Sequence, residues 1–448
     1  MFFKKIKLLF LIVFVFLKRE KKAIFLSLVG GVIFFLVILK IFPYLPRPKT
    51  TQKIGLVGNY QFEDLPSSIL LLASNGLVRI DEDGSPLPSL ASRWETTPDG
   101  KTYFFYLADD IYWQDGKEIK AEEIKYDLPG VKMEIINSKT LKFSLEETFT
   151  PFPTLLSTPI FKKDYIGAGQ YQIKKINKYG SFIRKMLLVG PDKNLLFKFY
   201  PDQTAAFLAF QLGEVDELWN LYQNPFTSEW EKYLLIKSQL NYDQYIGIFL
   251  NLRDKFLGNK NLRQALAYAT PKLEGESRAI GPLNPHSWAF NANVKPYKTN
   301  PEQAKNLFEK FKKEMEVEKL KLTLDTTENF LGLAEAIKKN WQEILGIETE
   351  IKLIDTISFD FQTLLIISQI PPDPDQYSFW HSTQETNLTG YKSPKVDKIL
   401  EDSRRLTDKQ ERKEKYFDFQ RFLLEDSPVI FLSHPQSLTI KRKKLFFN

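Results

Sequence analysis

The stretch Leu333-Ala334-Glu335-Ala336-Ile337-Lys338-Lys339-Asn340-Trp341-Gln342-Glu343-Ile344-Leu345, then Gly346, then Ile347-Glu348-Thr349-Glu350-Ile351-Lys352-Leu353-Ile354, changes character at the glycine. The first part reads as a helix that Gly346 stops, and the second as a strand fed directly by it. A helix running into a strand is the unit of an α/β architecture rather than of a bundle or a sandwich. The same alternation extends outward. Residues 204–212 form a helix stopped by Gly213, residues 261–269 form another, and Pro301 opens a third with the stripe Ala304, Leu307 and Phe308 behind it. Nearer the N-terminus, residues 54–57, 77–80, 103–107 and 139–145 read as strands. Asp81-Glu82-Asp83-Gly84 and Trp113-Gln114-Asp115-Gly116 read as turns between extended segments, and a helix is expected to start near Ala121, with Glu122 and Glu123 in its first turn. No internal repeat or low-complexity stretch interrupts this series.

The chain has 448 residues, 43% hydrophobic and 26% charged, the composition of a globular protein of two or three lobes. It contains no cysteine, which removes disulfides, zinc-thiolate sites, cysteine nucleophiles and a lipid-modified cysteine anchor. The net charge of +7 invites a nucleic-acid function until its location is considered. Residues 1–49 hold ten Lys/Arg against Glu20 alone, a net of +9, so the rest of the chain stands at −2. A near-neutral body has no bulk attraction to phosphate.

That basic N-terminus surrounds an apolar run. Between Ala23 and Leu39 no residue is charged and thirteen of seventeen are Leu, Ile, Val or Phe, worth roughly −4 to −8 kcal/mol of insertion free energy. Residues 23–45 are expected to be a transmembrane anchor. Residues 1–22 are expected to be a cytoplasmic, basic and interfacial segment, because Lys18, Arg19, Lys21 and Lys22 obey the positive-inside rule and residues 8–17 are too short to span. Residues 46–52 form a linker that begins Pro46-Arg47-Pro48. A cleaved signal peptide is the rival, but no small-x-small site follows the apolar run. The expected localisation is a cell membrane, single-pass, with the N-terminus cytoplasmic and the body extracytoplasmic.

Catalytic spacings are missing. There is no His-Glu-x-x-His, Gly-x-Ser-x-Gly or Ser-x-x-Lys. Gly100-Lys101-Thr102 imitates the end of a phosphate loop, but its first glycine position is Glu95, and a hairpin turn accounts for it better. His286, His381 and His434 lack ligand spacing. No catalytic residue, metal ligand or cofactor is therefore assigned. A pair of carboxylates across a cleft would suffice for a glycosidase, which keeps a membrane-tethered hydrolase as an alternative.

A series of short motifs then appears in one order: Ser74-Asn75-Gly76-Leu77-Val78-Arg79, Pro88-Ser89-Leu90-Ala91, Trp94-Glu95, Asp99-Gly100-Lys101-Thr102-Tyr103-Phe104-Phe105-Tyr106-Leu107 and Trp113-Gln114-Asp115-Gly116. Gly167-Ala168-Gly169-Gln170-Tyr171, Gln211-Leu212-Gly213-Glu214-Val215-Asp216 and Tyr245-Ile246-Gly247-Ile248-Phe249-Leu250-Asn251 follow. Asn261-Leu262-Arg263-Gln264-Ala265-Leu266-Ala267-Tyr268-Ala269, Asn300-Pro301-Glu302-Gln303-Ala304, Asp373-Pro374-Asp375, Tyr391-Lys392-Ser393-Pro394 and Glu425-Asp426-Ser427-Pro428 complete it. The series resembles the family 5 extracellular solute-binding proteins, the oligopeptide-, dipeptide- and nickel-binding components of ABC importers.

The resemblance implies a two-lobed α/β fold of the type 2 periplasmic-binding-protein class, with a solute held in a cleft between hinged lobes. It implies a first lobe of residues 53–244 and 420–448, including a reduced accessory subdomain at about 85–160, and a second lobe of residues 245–419. The function it implies is that of an extracytoplasmic binding protein, not an enzyme, that delivers a peptide or other small solute to ABC permease subunits. A transport-uncoupled sensor or surface scaffold of the same fold is the alternative. Peptide-binding members carry Gly-Trp-x-x-Asp before the Asp-Pro turn, where this chain has Ile366, Ile367 and Ile370. Relatives also carry tens of residues between Tyr126 and Lys139 and a longer stretch after Ala269, so this member is trimmed. The expected ligand contacts are Tyr245, Asn251, Trp288, Asp373, Asp375, Tyr377, Trp380 and His381, with residues 369–381 lining the cleft and Asp373 or Asp375 replacing the missing acid.

Overall fold

A computed structural model describes residues 19, 21–41, 49–272, 275 and 277–443. The chain divides into two units, residues 1–50 and 51–448. The first contains α1 (Lys21–Ile41), on which Leu26, Ile33, Phe34, Phe35, Leu36 and Val37 are exposed. Among the described residues no helix is long and apolar enough to cross a membrane. The expected span over residues 23–45 therefore rests on the sequence pattern. Its last residues, 42–45, and the run 8–17 lie outside the described residues.

The second unit opens with β1 (Thr51–Val57) and α2 (Ser67–Ala73), then leaves for a hairpin, β2 (Val78–Ile80) and β3 (Pro86–Pro88). Four antiparallel strands follow: β4 (Ala91–Thr96), β5 (Thr102–Leu107), β6 (Val131–Asn137) and β7 (Thr140–Leu145). The chain returns through β8 (Gln172–Tyr179), β9 (Phe182–Val189), β10 (Asn194–Tyr200), α3 (Gln203–Gln211), β11 (Glu217–Leu221) and β12 (Leu234–Leu240). It crosses into β13 (Gln244–Leu250), α4 (Lys260–Ala269), α5 (Pro301–Met315), β14 (Lys321–Thr326), α6 (Leu331–Leu345), β15 (Glu348–Leu353) and β16 (Thr363–Gln369). Then come α7 (Pro394–Arg405), α8 (Lys409–Asp426) and β17 (Val429–Ser433), before the chain crosses back to β18 (Gln436–Arg442).

Two sheets define the lobes. A seven-stranded sheet runs β12-β18-β11-β1-β10-β9-β8, and a five-stranded sheet runs β15-β14-β16-β13-β17. β1 pairs in parallel with β10 and β11, while β13 lies antiparallel between β16 and β17. The four-stranded sheet β4-β5-β7-β6 has its own core, in which Phe105, Phe143 and Phe152 pack within 6.4 Å of one another. It lies within residues 91–145.

The helices start and stop where their chemistry directs. The carboxylate of Asp202 accepts from Ala205 N at 2.8 Å to open α3, and Asn300 accepts from Gln303 N at 3.0 Å to open α5. Gly346 ends α6 in the left-handed region at φ +69°, where a Cβ would be strained. Ala334, Ile337, Trp341 and Leu345 turn the buried face of α6 onto the core shared with β14 and α4.

Two expectations are corrected. The helix near Ala121 is a single 3-10 turn, Ala121–Glu123. Glu123 is drawn inward by Trp113 Nε1 at 2.8 Å and Lys162 Nζ at 2.9 Å, and Pro129-Gly130 turns the chain into β6. The return to the first lobe, expected at residue 420, falls inside α8. Tyr416, Phe419, Leu423 and Leu424 pack into the second-lobe core with Val429 and Phe431, and the first sheet is rejoined only at Gln436.

Candidate functional site

Two crossings join the lobes, Asn241-Tyr242-Asp243 between β12 and β13 and His434-Pro435 between β17 and β18. They are tied together: Asn241 N donates to Pro435 O at 2.9 Å, Ile370 N to Asp243 O at 2.7 Å, and His434 Nδ1 lies 2.7 Å from Gln244 O. Burial pushes His434 below the ordinary imidazole range. Away from this hinge the lobes touch directly. Gly84, at φ +85°, brings the β2–β3 turn so close to the second lobe that a Cβ there would lie 2.2 Å from Pro372 O. Lys409 donates to Ser85 Oγ at 2.8 Å, Arg405 pairs with Glu147 at 3.2 Å, and Thr150 N donates to Arg404 O at 2.8 Å. At another contact Gln223 donates to Asn329 O at 2.8 Å. The two lobes are closed on each other.

Residues 373–381 gather into one cluster beside this seam, but the acids there are already engaged. The Arg404 guanidinium holds Asp375 through Nε at 3.0 Å from each oxygen and Nη2 at 2.7 Å, and stacks over Tyr377 with Cζ 3.9 Å from the ring centre. Asp373 accepts from Arg412 Nη2 at 3.0 Å and from Asp375 N at 2.9 Å. Burial pushes the Asp373 carboxyl above its ordinary range, and Asp375 adds to this, against the pull of Arg412. Burial lowers Arg412, but Asp373 and Tyr416 outweigh it and hold the guanidinium above its usual value. Tyr377 stacks on His381 at 4.1 Å, His381 spans Thr383 Oγ1 at 2.8 Å and Glu401 at 3.3 Å, and buried Trp380 donates to Gln376 Oε1 at 3.1 Å.

The other expected contacts also serve packing. Tyr245 is buried, with Phe431 at 4.9 Å, and its hydroxyl is pushed up by desolvation. Asn251 ends β13 by donating to Phe361 O at 2.8 Å. Trp288 N donates to Asp83 O at 3.2 Å, and its ring lies under Lys409 and Arg412 at 5.1 and 5.3 Å. It is the expected contact that reaches the other lobe. Ile366 and Ile370 are buried core beside Trp380. The missing acid is replaced at its own position by hydrocarbon.

A cavity of about 730 Å³ lies beside the hinge, lined by Tyr242, Lys272, Arg278, His286, Phe290 and Lys298, among others. None of the expected contacts lines it. Burial lowers Lys272 to about 7 and Arg278 adds to this, while Arg278 itself donates to Phe431 O at 2.6 Å and Leu432 O at 2.8 Å. The trimming after Ala269 was the sequence feature nearest this cavity, but a shortened loop gives no sign of which side chains it uncovers. Among the described residues no group of three or more His, Cys, Asp or Glu could hold a metal ion.

Comparison with known proteins bears on this geometry. The model of the bacterial extracellular solute-binding proteins, family 5 Middle, matches residues 85–388. The oligopeptide-binding protein OppA of Bacillus subtilis is 24% identical, with 85% of each chain covered. The nickel-binding periplasmic protein of Escherichia coli is 28% identical over 52% of this chain and 54% of its own. Among solved structures, the ABC transporter substrate-binding protein CtaP of Listeria monocytogenes superposes with a TM-score of 0.74 at 21% identity, covering 88% of this chain and 94% of its own. NikZ of Campylobacter jejuni, in complex with Ni(L-His), gives 0.70 at 23%, covering 89% and 95%.

Proposed function

The chain belongs to the family 5 bacterial extracellular solute-binding proteins, and from that premise we propose that it binds a peptide or another small solute between its lobes, outside a membrane, and delivers it to ABC permease subunits. The observation that carries this is the pair of crossings at residues 241–243 and 434–435, which leaves two sheet-centred lobes free to close about one hinge. The binding role is not enzymatic. Asp373 and Asp375 each hold an arginine, and Ile370 stands where a peptide's ammonium group would need an acid, so the favoured solute is one recognised without a cationic end. Mass spectrometry of solutes retained by the purified protein tests this. Recovery of peptides with free N-termini as the dominant species would overturn the preference, and recovery of no solute under any growth condition would overturn the binding role.

The engaged acids also favour a second reading, a sensor or scaffold of the same fold uncoupled from transport. Adjacent genes for two permease subunits and two ATPases support delivery, and their absence supports the sensor. In either role residues 23–45 anchor the body with the N-terminus inside. Protease added outside intact cells is expected to digest the body, and a mature N-terminus mapped near residue 50 would show the anchor to be cleaved.

A further inference from the structure

The end of the seven-stranded sheet where β1 begins carries apolar side chains that stand exposed among the described residues. Leu212, just past α3, is 69% exposed, Leu208 one turn earlier 53%, and Tyr233, just before β12, 46%. Trp230 joins them, exposed on one side and packed through Phe226 at 6.0 Å to Phe210 at 5.3 Å on the other. Arg442 ties the two groups into one surface. It pairs with Leu234 in the β12–β18 ladder and donates to Phe210 O and to Gln211 O at 3.3 Å.

Strand register places this surface beside the start of the body. Ile54, Glu217, Lys441 and Leu235 form one row across β1, β11, β18 and β12. Tyr233 and Thr51 therefore lie at the same end of the sheet, three strand spacings or about 14 Å apart. The chain from Leu45 to Thr51 can reach no further than about 20 Å however it is arranged. An anchor ending at residue 45 holds that end of the sheet within this distance of the membrane surface.

We propose that this end of the first lobe is a bilayer-seating face, with Leu208, Leu212, Trp230 and Tyr233 entering the headgroup region of the outer leaflet. The inference rests on the membrane anchor proposed above. Trp and Tyr are the residues that partition to that region, one end apolar and the other wet. Lys232 and Lys443 flank Tyr233: Lys443 N donates to Tyr233 O and its ammonium to Lys232 O, both at 2.8 Å, and the Lys232 ammonium lies 5.0 Å from the tyrosine ring, which places two positive charges at the edge of the patch, where lipid phosphates would lie. The acids at this end are mostly engaged: Glu214 with Lys198, Glu217 with Lys441, Asp216 with Lys53 N and Glu231 with Asn224, which leaves Glu229 and Asp192.

The cysteine-free chain makes the test direct. Single substitutions Leu212→Cys, Tyr233→Cys and, at the opposite end of the sheet, Tyr179→Cys each take a nitroxide label in the full-length protein, reconstituted in nanodiscs of equal parts phosphatidylcholine and phosphatidylglycerol. Labels at 212 and 233 are expected to lose several-fold in collisions with an aqueous nickel chelate relative to 179, and to gain in collisions with lipid-soluble oxygen. Equal chelate accessibility at all three positions, in protein that co-elutes with nanodiscs, would overturn the seating face and leave the anchor standing. Protein that fails to enter nanodiscs would overturn both. Shielding that appears only when permease subunits are added would reassign the surface to a protein partner.

Discussion

Asp373 and Asp375 stand two residues apart and take different arginines, and the difference in burial sets what each is worth. The Arg412–Asp373 pair is nearly inaccessible, with side chains 6% and 10% exposed. Asp373→Asn is expected to cost about 3–5 kcal/mol, because it strands a buried guanidinium. The Arg404–Asp375 pair is bidentate but partly wet, and Asp375→Asn is expected to cost about 1–2 kcal/mol. Urea titration of the two variants checks both values and their order. Lys272 makes a second prediction. Its folded value of about 7 lies below the unfolded value, so between pH 7 and roughly 10.4 the unfolded chain binds more protons and stability rises with pH. Below that window both states are charged and the fold bears the whole cost of burial. Lys272→Met is therefore expected to raise Tm more at pH 6 than at pH 9, and an equal gain at both would contradict the assignment. Residues 373–381 lie close together because they are contiguous, an Asp-Pro-Asp turn leading into the short helix Tyr377–Trp380. The sequence did not show that Arg404 and Arg412, on α7 and α8, reach back to bond these acids, because that depends on how two helices pack.

At the scale of elements, the motifs that made the family legible turn out to be fold-fixing. The Gln114 side chain donates to the carbonyls of Ala73, Gly169 and Tyr171 at 2.8 to 2.9 Å and accepts from Gly167 N at 3.1 Å, which is why a Gln-Asp-Gly turn and a Gly-Ala-Gly segment occur together. Any Cβ on Gly167 would meet Ala73 O at 2.1 Å. Arg263 on α4 donates to Asp426 O, Leu257 O and Gly258 O at 2.8 to 2.9 Å, pinning the end of α8 to that helix. Helix ends were equally legible wherever a cap or a glycine dictates them. The turn at Ala121 was not, because Glu123, an acid suited to a helix start, is recruited by Trp113 and Lys162 instead. Two glycines separate conformational strain from steric contact. Gly346→Ala meets no neighbour and is expected to cost about 1 kcal/mol for its left-handed φ alone. Gly84→Ala bears the same strain and also drives a methyl into Pro372 O, so it is expected to cost more and to loosen the turn from the second lobe. Denaturation of both variants, with hydrogen exchange at Asp83 to Ser85, distinguishes the two effects.

For the whole molecule, the order of strands and helices gave the α/β class and the family resemblance implied the two lobes, but the second crossing was placed at residue 420, inside α8. β17 is apolar enough to belong to either lobe; its pairing with β13 assigns it to the second, and α8 follows through Tyr416, Phe419 and Leu423 in the same core. The hinge lies at the end of the first sheet where Leu240 pairs with Gln436, opposite the end where β1 begins. Seven residues of β1 at about 3.3 Å each then separate the chain's point of entry from the second lobe by over 20 Å. Closure on the far side of that hinge combines the backbone bonds of Thr150 N to Arg404 O and Trp288 N to Asp83 O with exposed side-chain contacts: Lys409 with Ser85 and, at 3.6 Å, with Asp83, and Arg405 with Glu147. Exposed pairs of this kind contribute about 0–1 kcal/mol each, so removing them moves the balance toward a solute-free open state while leaving each lobe's own core untouched. The double variant Arg405→Ala/Lys409→Ala is therefore expected to unfold at nearly the wild-type urea midpoint, while its solute-free radius of gyration by small-angle scattering rises and added solute brings it back. A radius unchanged in the double variant would mean that closure is set by backbone bonds, those of Asn241, Asp243 and His434 at the hinge and of Thr150 and Trp288 at the rim, and not by the exposed side-chain pairs.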